Sequence, residues 1–403
     1  MVRYLFLGLQ YNNERESEYL NLSKHGLSAA SNELQWNLCD GFVRHLEQDF
    51  EILTALPVGC YPKHFRKIRL ENQSWEYCGV SVNEIGSWNL PVLKQLERAR
   101  RCADYIQKWI NKNPDDQHVV ILYSLYLPYL KAIQKVKRSY TSLRSIIIVP
   151  DLPGKYGILP NNYVKARIAA SAGYKAMKIA ESFDGYVVLT EQMTKPLNIG
   201  NKPYVVVEGV CSEKQITTVP ENEKVGKPYF FYAGSLKREF GIMNLLDAFE
   251  MMDDTDAELW ICGAGDMENE IKERSAKNPR IRFLGFRTKD EVRRMQQNAV
   301  ALVNPRTSDG VYTQYSFPSK TIEYMASGTP VVMNRLPGIP TEYDEYLFYP
   351  EDSSALSLAK TIKSVLDMEE KDRIKFGKRA SNFILTEKNA KAQAEKILNL
   401  IND

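Results

Sequence analysis

The chain has 403 residues, 44% of them hydrophobic and 26% charged, which is too long for one ordinary core and suits two domains of about 150 to 200 residues each. Fifty-three Lys and Arg against 50 Asp and Glu leave a formal charge of +3, far from the basic excess of a dedicated nucleic-acid binder, so no nucleic-acid partner is expected. The composition also excludes disordered and fibrous classes.

The cysteines Cys39, Cys60, Cys78, Cys102, Cys211 and Cys262 form no C-x-x-C pair and read as scattered core thiols, while His25, His45, His64 and His118 show no metal spacing. No required metal is expected. The apolar run at Met1 to Leu9 is too short for a signal-peptide core and reads as a first strand. No stretch approaches the ~18 uninterrupted apolar residues of a membrane span, so a soluble, cytoplasmic protein is expected.

In chain order, a strand is predicted at 4–9, a helix at about 27–46 and a strand at Ile52–Leu56, followed by an aromatic-rich stretch without clear periodicity. From residue 118, the continuous apolar runs Val119–Tyr123, Ile146–Val149, Tyr186–Leu189 and Val205–Val207 alternate with helical patterns at Tyr129–Arg138 and Tyr163–Ala180. Such runs suit parallel strands covered on both faces. The polar segment 212–227 has no periodicity and reads as a linker. Beyond it, strands are predicted at Tyr229–Tyr232, Leu259–Cys262, Ile281–Leu284, Ala299–Val303 and Val331–Met333, with helices between neighbours. Ile242, Leu245, Leu246 and Phe249 recur at helical spacing and mark one buried face. The fold class is α/β, with two doubly wound sheets in tandem. Ligands of such sheets sit beyond the carboxyl ends of strands, so a central cleft between the two domains is the expected site.

The densest chemical signal is the segment from Asn304 to Val332. It leaves a strand, enters a short helix near Pro318, with proline suited to the first turn, and returns through Gly328. The free N–H groups of that turn, the helix dipole and Lys320 would form an anion site, with Pro318 removing one donor and leaving the Phe317 and Ser319 N–H groups. Glu323 lies one helical turn on, where its carboxylate can accept from vicinal ribose hydroxyls. A surface helix carrying a Lys and a Glu is the plain alternative.

Tyr232-Ala-Gly-Ser-Leu236, Gly241 to Phe249, Cys262-Gly-Ala-Gly-Asp266, Phe283-Leu-Gly-Phe286 and Glu323 to Pro330 occur in order. Together they resemble the family-4 glycosyltransferases over residues 228–350. Ser316-Phe-Pro-Ser-Lys320, with weaker signals at Val149–Pro153, Asp184–Thr190 and Val207–Val210, is similar to a bacterial polysaccharide (capsule or exopolysaccharide) subgroup. The resemblance implies a GT-B fold, in which two Rossmann-like domains face a central cleft. It divides the chain into an acceptor-binding domain at 1–211, the linker at 212–227, a nucleotide-sugar-binding domain at 228–385, and a C-terminal helix within 386–403 packing back on the first domain. It implies transfer of a hexosyl-type sugar from a nucleotide-diphosphate donor, UDP-sugar favoured, to a glycan or polyprenyl-linked glycan, with retention and no other cofactor.

The donor-binding candidates are Gly234, Ser235, Lys237, Arg238, Phe286, Arg306, Tyr315, Ser316, Phe317, Ser319, Lys320 and Glu323, the last also a catalytic candidate. Departures from the pattern are specific: Tyr315 stands where the family has the first Glu of Glu-x7-Glu, and Ser235 and Phe240 stand where it commonly has Arg and Lys. Lys237, Arg238, Arg306 and Lys320 are the expected replacement cations, since a buried diphosphate needs donors. In the first domain, Gly26 and Ser28 lie in a glycine loop suited to approach the sugar; a plain helix cap by Ser28 or Ser31 is the alternative. Asp151 follows the strand at 146–149 and is the candidate for contacting the sugar or the acceptor hydroxyl. It follows Pro150, where the family often has His, and a turn-forming Asp is the alternative.

Asp254-Thr-Asp256 reads as a solvated loop. Lys131, Lys135, Lys137 and Arg138, with Lys165, Arg167, Lys175 and Lys178, form a basic set that would suit an anionic membrane surface on the inner face of the cell. Two other functions remain open: a catalytically inactive glycosyltransferase-like subunit of a partner enzyme, and a sugar-nucleotide epimerase.

Overall fold

A computed structural model of the chain describes residues 1–154, 163–212, 226–308 and 310–402. The chain divides into two compact units, Met1–Val210 with Ala390–Asp403, and Cys211–Asn389. Except at its ends, the expected linker lies outside the described residues.

Unit 1 runs β1 (Val2–Gly8), α1 (Glu16–Leu22), α2 (Ala29–Leu46), β2 (Phe50–Thr54), β3 (Arg69–Leu70), β4 (Gln73–Tyr77), β5 (Val80–Glu84), β6 (Ser87–Trp88), α3 (Leu93–Lys112), β7 (Gln117–Tyr123), α4 (Leu127–Lys137), β8 (Arg144–Val149), α5 (Tyr163–Ala180), β9 (Gly185–Val188) and β10 (Tyr204–Val206). Its eight-stranded sheet has the order β10-β9-β8-β7-β1-β2-β5-β4. Every neighbouring pair is parallel except the β4–β5 hairpin. The middles of the central strands are unbroken apolar runs because helices cover both faces: Leu5, Phe6, Leu7, Val120, Ile121 and Leu122 are fully buried.

The aromatic-rich stretch that periodicity leaves unassigned becomes β3 to β6. Cys78 and Gly79, at φ 49° and 82°, turn the β4–β5 hairpin in the conformation two-residue hairpins favour. Cys78 is therefore an exposed turn residue and Cys60 is half-buried, against the expectation of core thiols, whereas the other four cysteines are buried. The basic set is also thinner than expected. Lys137 bonds Asp184 at 2.7 Å and Lys178 bonds Glu181 at 2.6 Å, while Lys131, Lys135, Arg138, Arg167 and Lys175 are exposed. The side chain of Lys165 lies outside the described residues.

Unit 2 runs β11 (Tyr229–Ser235), α6 (Ile242–Glu250), β12 (Glu258–Ala264), α7 (Glu268–Lys277), β13 (Ile281–Gly285), α8 (Lys289–Asn298), β14 (Ala301–Asn304), α9 (Ser319–Ala326), β15 (Val331–Met333), α10 (Ala355–Asp367) and α11 (Glu370–Glu387). Its five strands are parallel in the order β13-β12-β11-β14-β15. Ile242, Leu245, Leu246 and Phe249 form the fully buried face of α6. A capping box of Thr288 and Glu291 starts α8. Asp254 and Asp256 are exposed, and Asp254 pairs with Lys363.

The chain then returns to unit 1 as α12 (Ala390–Asn402). Ala394, Ile397, Leu398 and Ile401 join the same core as Phe6, Phe42 and Ile121. Close approach of α2 and α12 depends on Gly41, where a Cβ would fall 2.0 Å from the Ala390 carbonyl oxygen.

Candidate functional site

In unit 2 the loops at the carboxyl ends of β11, β12 and β14 pack backbone against backbone. A Cβ on Gly241, which has φ +78°, would fall 2.1 Å from the Pro305 carbonyl oxygen, and one on Gly263 would fall 1.8 Å from that of Gly234. Only glycine allows this density, which leaves a smooth floor at the edge where ligands of parallel sheets bind.

The short helix α9 stands against this floor. Tyr324, fully buried, accepts from the Ala233 N–H at 3.0 Å and donates to the Ala233 carbonyl at 3.2 Å, which fixes the helix to β11. One turn earlier, the Lys320 side chain lies across Gly234: a Cβ there would be 2.3 Å from Lys320 Cε and 3.0 Å from its Nζ. The ammonium is also 6.0 Å from the Tyr324 ring centroid. Pro318 is the N-cap of α9, just before its first turn. The missing donor is thus the cap's own, and the N–H groups of Ser319 and Lys320 at the helix start are retained, a correction to the expectation that proline would sit inside the turn.

Glu323 is half-buried, and its Oε1 accepts from Gln296 Nε2 at 2.7 Å. Gln296, 1% exposed on α8, is held in turn where its carbonyl accepts from Thr329 at 2.7 Å. Sequence reasoning missed Gln296, which reads as one more polar residue of a charged helix.

The three candidate cations besides Lys320 differ in their surroundings. Arg306 donates to the Ser316 hydroxyl at 2.9 Å, lies 4.8 Å from the Tyr312 ring and 5.9 Å from that of Phe240, and has a buried Nε without a partner. Lys237 lies 5.9 Å from the same Phe240 ring and 3.7 Å from Glu239. Phe240, standing where the family commonly has a cation, thus lies beside two others. Arg238 is exposed, with its backbone N–H on Asp266 at 3.2 Å. Ser235 and Ser319 are exposed and Tyr315 is half-buried. Phe286, just past β13, is 81% exposed, a free aromatic face. Phe317 instead packs its ring on Tyr343 at 5.3 Å, so only its backbone is open to a ligand.

In unit 1, Asp151 lies two residues beyond β8, near Tyr123 at the end of β7. Its side chain reaches solvent, yet surrounding protein disfavours the charged form and raises its carboxyl. Burial pushes the Tyr123 phenol up to about 12, and its hydroxyl pairs with Ser31 at 3.2 Å. Gly26, at φ +75°, borders open space, and its carbonyl accepts from Ser23. Ser28 occupies the N-cap position of α2 but makes no side-chain cap bond, so the capping alternative fails there.

Residues 227–368 match the family glycosyl transferases group 1. No curated protein matches the chain in sequence. Among solved structures, sucrose-phosphate synthase from Thermosynechococcus elongatus aligns with a TM-score of 0.64 at 14% identity over 99% of this chain and 98% of that one. A glycosyltransferase from Rickettsia africae gives 0.66 at 13% over 99% and 97%. HepE of Anabaena, solved in complex with UDP and glucose, gives 0.60 at 12% over 99% of each. The fold is that of GT-B glycosyltransferases, with two Rossmann-like domains.

Proposed function

We propose that the protein transfers a sugar from a nucleotide-diphosphate donor, with a UDP-sugar favoured, to a hydroxyl of a glycan or polyprenyl-linked glycan. The observation that carries this reading is the Lys320 ammonium held over Gly234 at the start of α9, with Glu323 one turn on and braced by Gln296. A diphosphate laid on Gly234 would meet the ammonium, the first-turn N–H groups and the positive end of the helix together. Glu323 retains lone pairs for ribose hydroxyls, and Phe286 offers a face for the base. Lys237 and Arg306 supply charge around Phe240. Catalysis then rests on stabilising the leaving diphosphate and orienting the acceptor, with Asp151 and the Gly26–Ser28 loop on the acceptor side.

The same reading includes retention of anomeric configuration, hexosyl transfer and a role in cell-surface polysaccharide synthesis on the inner face of the membrane. No helix among the described residues is long and apolar enough to cross a membrane. Exposed Lys131, Lys135, Arg138 and Lys175 beside Tyr174, which is 71% exposed, support surface attachment instead. Pelleting with anionic but not neutral liposomes at low salt is the expected result.

The decisive experiment incubates the full chain with a panel of UDP-, GDP- and ADP-sugars and follows nucleotide release and product mass. Lys320→Ala and Glu323→Ala are each expected to lower kcat/KM by a hundredfold or more; full activity in both would remove the site assignment. The inactive-subunit reading draws on Ser235, Phe240 and Tyr315, and it requires turnover to appear only with a partner enzyme. An epimerase would convert its donor with no acceptor present.

A further inference from the structure

The chain between β6 and α3 holds a strained turn. Val92 has φ 66° and ψ −56°, and the Leu93 N–H donates to the Pro91 carbonyl at 2.7 Å, which closes a three-residue turn of a rare kind. A β-branched residue at positive φ costs free energy that glycine would not, and such strain persists where it serves a function. Packing does not account for it, since Val92 is 67% exposed. The turn thrusts it into solvent beside Leu93 and Leu96 at the start of α3, both exposed, Leu96 at 60%. Trp88 and Ile68 are exposed as well, and their segments are stitched to this turn. β6 pairs with β3 through Trp88 and Arg69, the Asn89 N–H donates to the Ile68 carbonyl at 2.7 Å, and the Trp88 N–H donates to Glu97 of α3 at 2.7 Å. Single surface aliphatics need no explanation, but a gathered set marks an interaction surface.

Charge decides what this face meets. The Arg69 guanidinium lies 5.4 Å from the Trp88 ring centroid, and Arg100, exposed, continues the helix face of Leu93 and Leu96. α4 begins beside α3, where Arg98 donates at 3.2 Å to the hydroxyl of Tyr126, the residue before α4. That helix carries Lys131 and Lys135, both exposed, and no acid along its length. Lys63 and Arg66 are exposed in the segment leading to β3. The nearby acids are already matched: Glu71, Glu97 and Asp104 lie 3.7, 2.6 and 3.7 Å from Arg69, Arg101 and Arg100. The face is therefore apolar at its centre and positive around it. A second copy of the chain would bring those cations against their own kind, whereas a bilayer with anionic headgroups supplies the opposite charge and an apolar layer beneath it. Trp88, with an apolar body and one N–H, suits the boundary between the two.

We propose that this face docks on an anionic lipid bilayer, with Val92, Leu93 and Leu96 entering the headgroup boundary, Ile68 and Trp88 at the rim, and Arg100, Lys131 and Lys135 against lipid phosphates. The inference rests on the surface attachment read above and goes beyond it. Charge alone would hold the protein on a membrane and let salt release it, whereas apolar insertion resists salt and fixes which side of unit 1 faces the lipid. All these residues belong to unit 1 and the donor loops to unit 2, so either assignment can fail alone.

The test mixes the full chain with vesicles of phosphatidylglycerol and phosphatidylcholine, beside a Val92→Ser, Leu96→Ser double variant and a Lys131→Ala, Lys135→Ala double variant. Wild-type binding is expected to persist at high salt, and the serine variant to weaken it about tenfold or more, because two aliphatic side chains are lost from the lipid. The alanine variant should weaken binding at low salt alone. Brominated acyl chains are expected to quench wild-type tryptophan fluorescence, a signal that Trp88→Phe removes. An unchanged melting temperature in the serine variant shows that unit 1 still folds; should it fall, the quenching of Trp88 decides. Binding that salt abolishes, that the serine variant keeps in full and that leaves Trp88 unquenched overturns insertion while leaving electrostatic attachment intact. Failure of the wild type to bind vesicles removes both, and sugar transfer to a soluble acceptor then still tests the donor site by itself. A concentration-dependent dimer that the serine variant abolishes would make a second copy the occupant and equally overturn the proposal.

Discussion

Burial raises the Glu84 carboxyl to about 7, with Arg98 and Arg15 partly opposing the shift. In the unfolded chain the group titrates near 4.5, so between those values the folded state keeps a proton that the unfolded state has lost. Its contribution is complete below pH 4.5 and is lost as pH rises through 7, a difference of about 3 kcal/mol. Urea unfolding at pH 5 and pH 8 is expected to show this fall in the wild type and a flatter response in Glu84→Gln; equal slopes would mean that the carboxyl is ionised in both states. At the proposed donor site, Gly234→Ala is expected to displace Lys320 and lower donor affinity at least tenfold with little change in melting temperature, measured by UDP titration. Gln296→Leu should raise the donor KM more than it lowers kcat, because it frees Glu323 without removing it. The placement of Lys320 and Glu323 on one short helix was legible from the proline, the glycine and their helical spacing. Gln296 and Glu84 were not, because one reads as polar surface and the other as the end of an alternating strand, and only tertiary packing buries them.

The candidate donor-binding side chains of α9 are held by one that needs no ligand. Tyr324 satisfies both the N–H and the carbonyl of Ala233 from a fully buried position. Tyr324→Phe would leave those backbone groups unpaired beside an apolar ring, at a cost of about 1–3 kcal/mol. Urea unfolding is expected to show that loss. UDP affinity should fall in the same variant, because Lys320 and Glu323 ride on the helix it loosens; undiminished affinity would mean that α9 is fixed by its other contacts. The parallel strands were legible because coverage on both faces writes them as unbroken apolar runs, and the helix at Tyr163–Ala180 has the bounds its periodicity predicts. The region from β3 to β6 was not, since two-residue strands and a half-exposed hairpin are too short or too mixed to impose a period.

Unit 1 is assembled from two distant parts of the chain, and α12 contributes Ile397, Leu398 and Ile401 to a core begun at β1. Removing those three side chains forfeits about 5–9 kcal/mol of apolar burial, comparable with the whole stability of an ordinary domain. A chain ending at residue 389 is therefore expected to lose unit 1 while Cys211–Asn389 stays folded. Limited proteolysis should leave a resistant fragment containing that span, and equal resistance of both units would show that α12 is dispensable. The discontinuity also orders events during synthesis. The first 210 residues of unit 1 are made before any of Cys211–Asn389, and its helix α12 after all of them. At about 5–20 residues per second, the interval from residue 211 to residue 403 is roughly 10–40 s. Throughout it the apolar surface of α2 that packs on α12 waits uncovered, so unit 1 stays exposed to aggregation until the segment beyond unit 2 has been made.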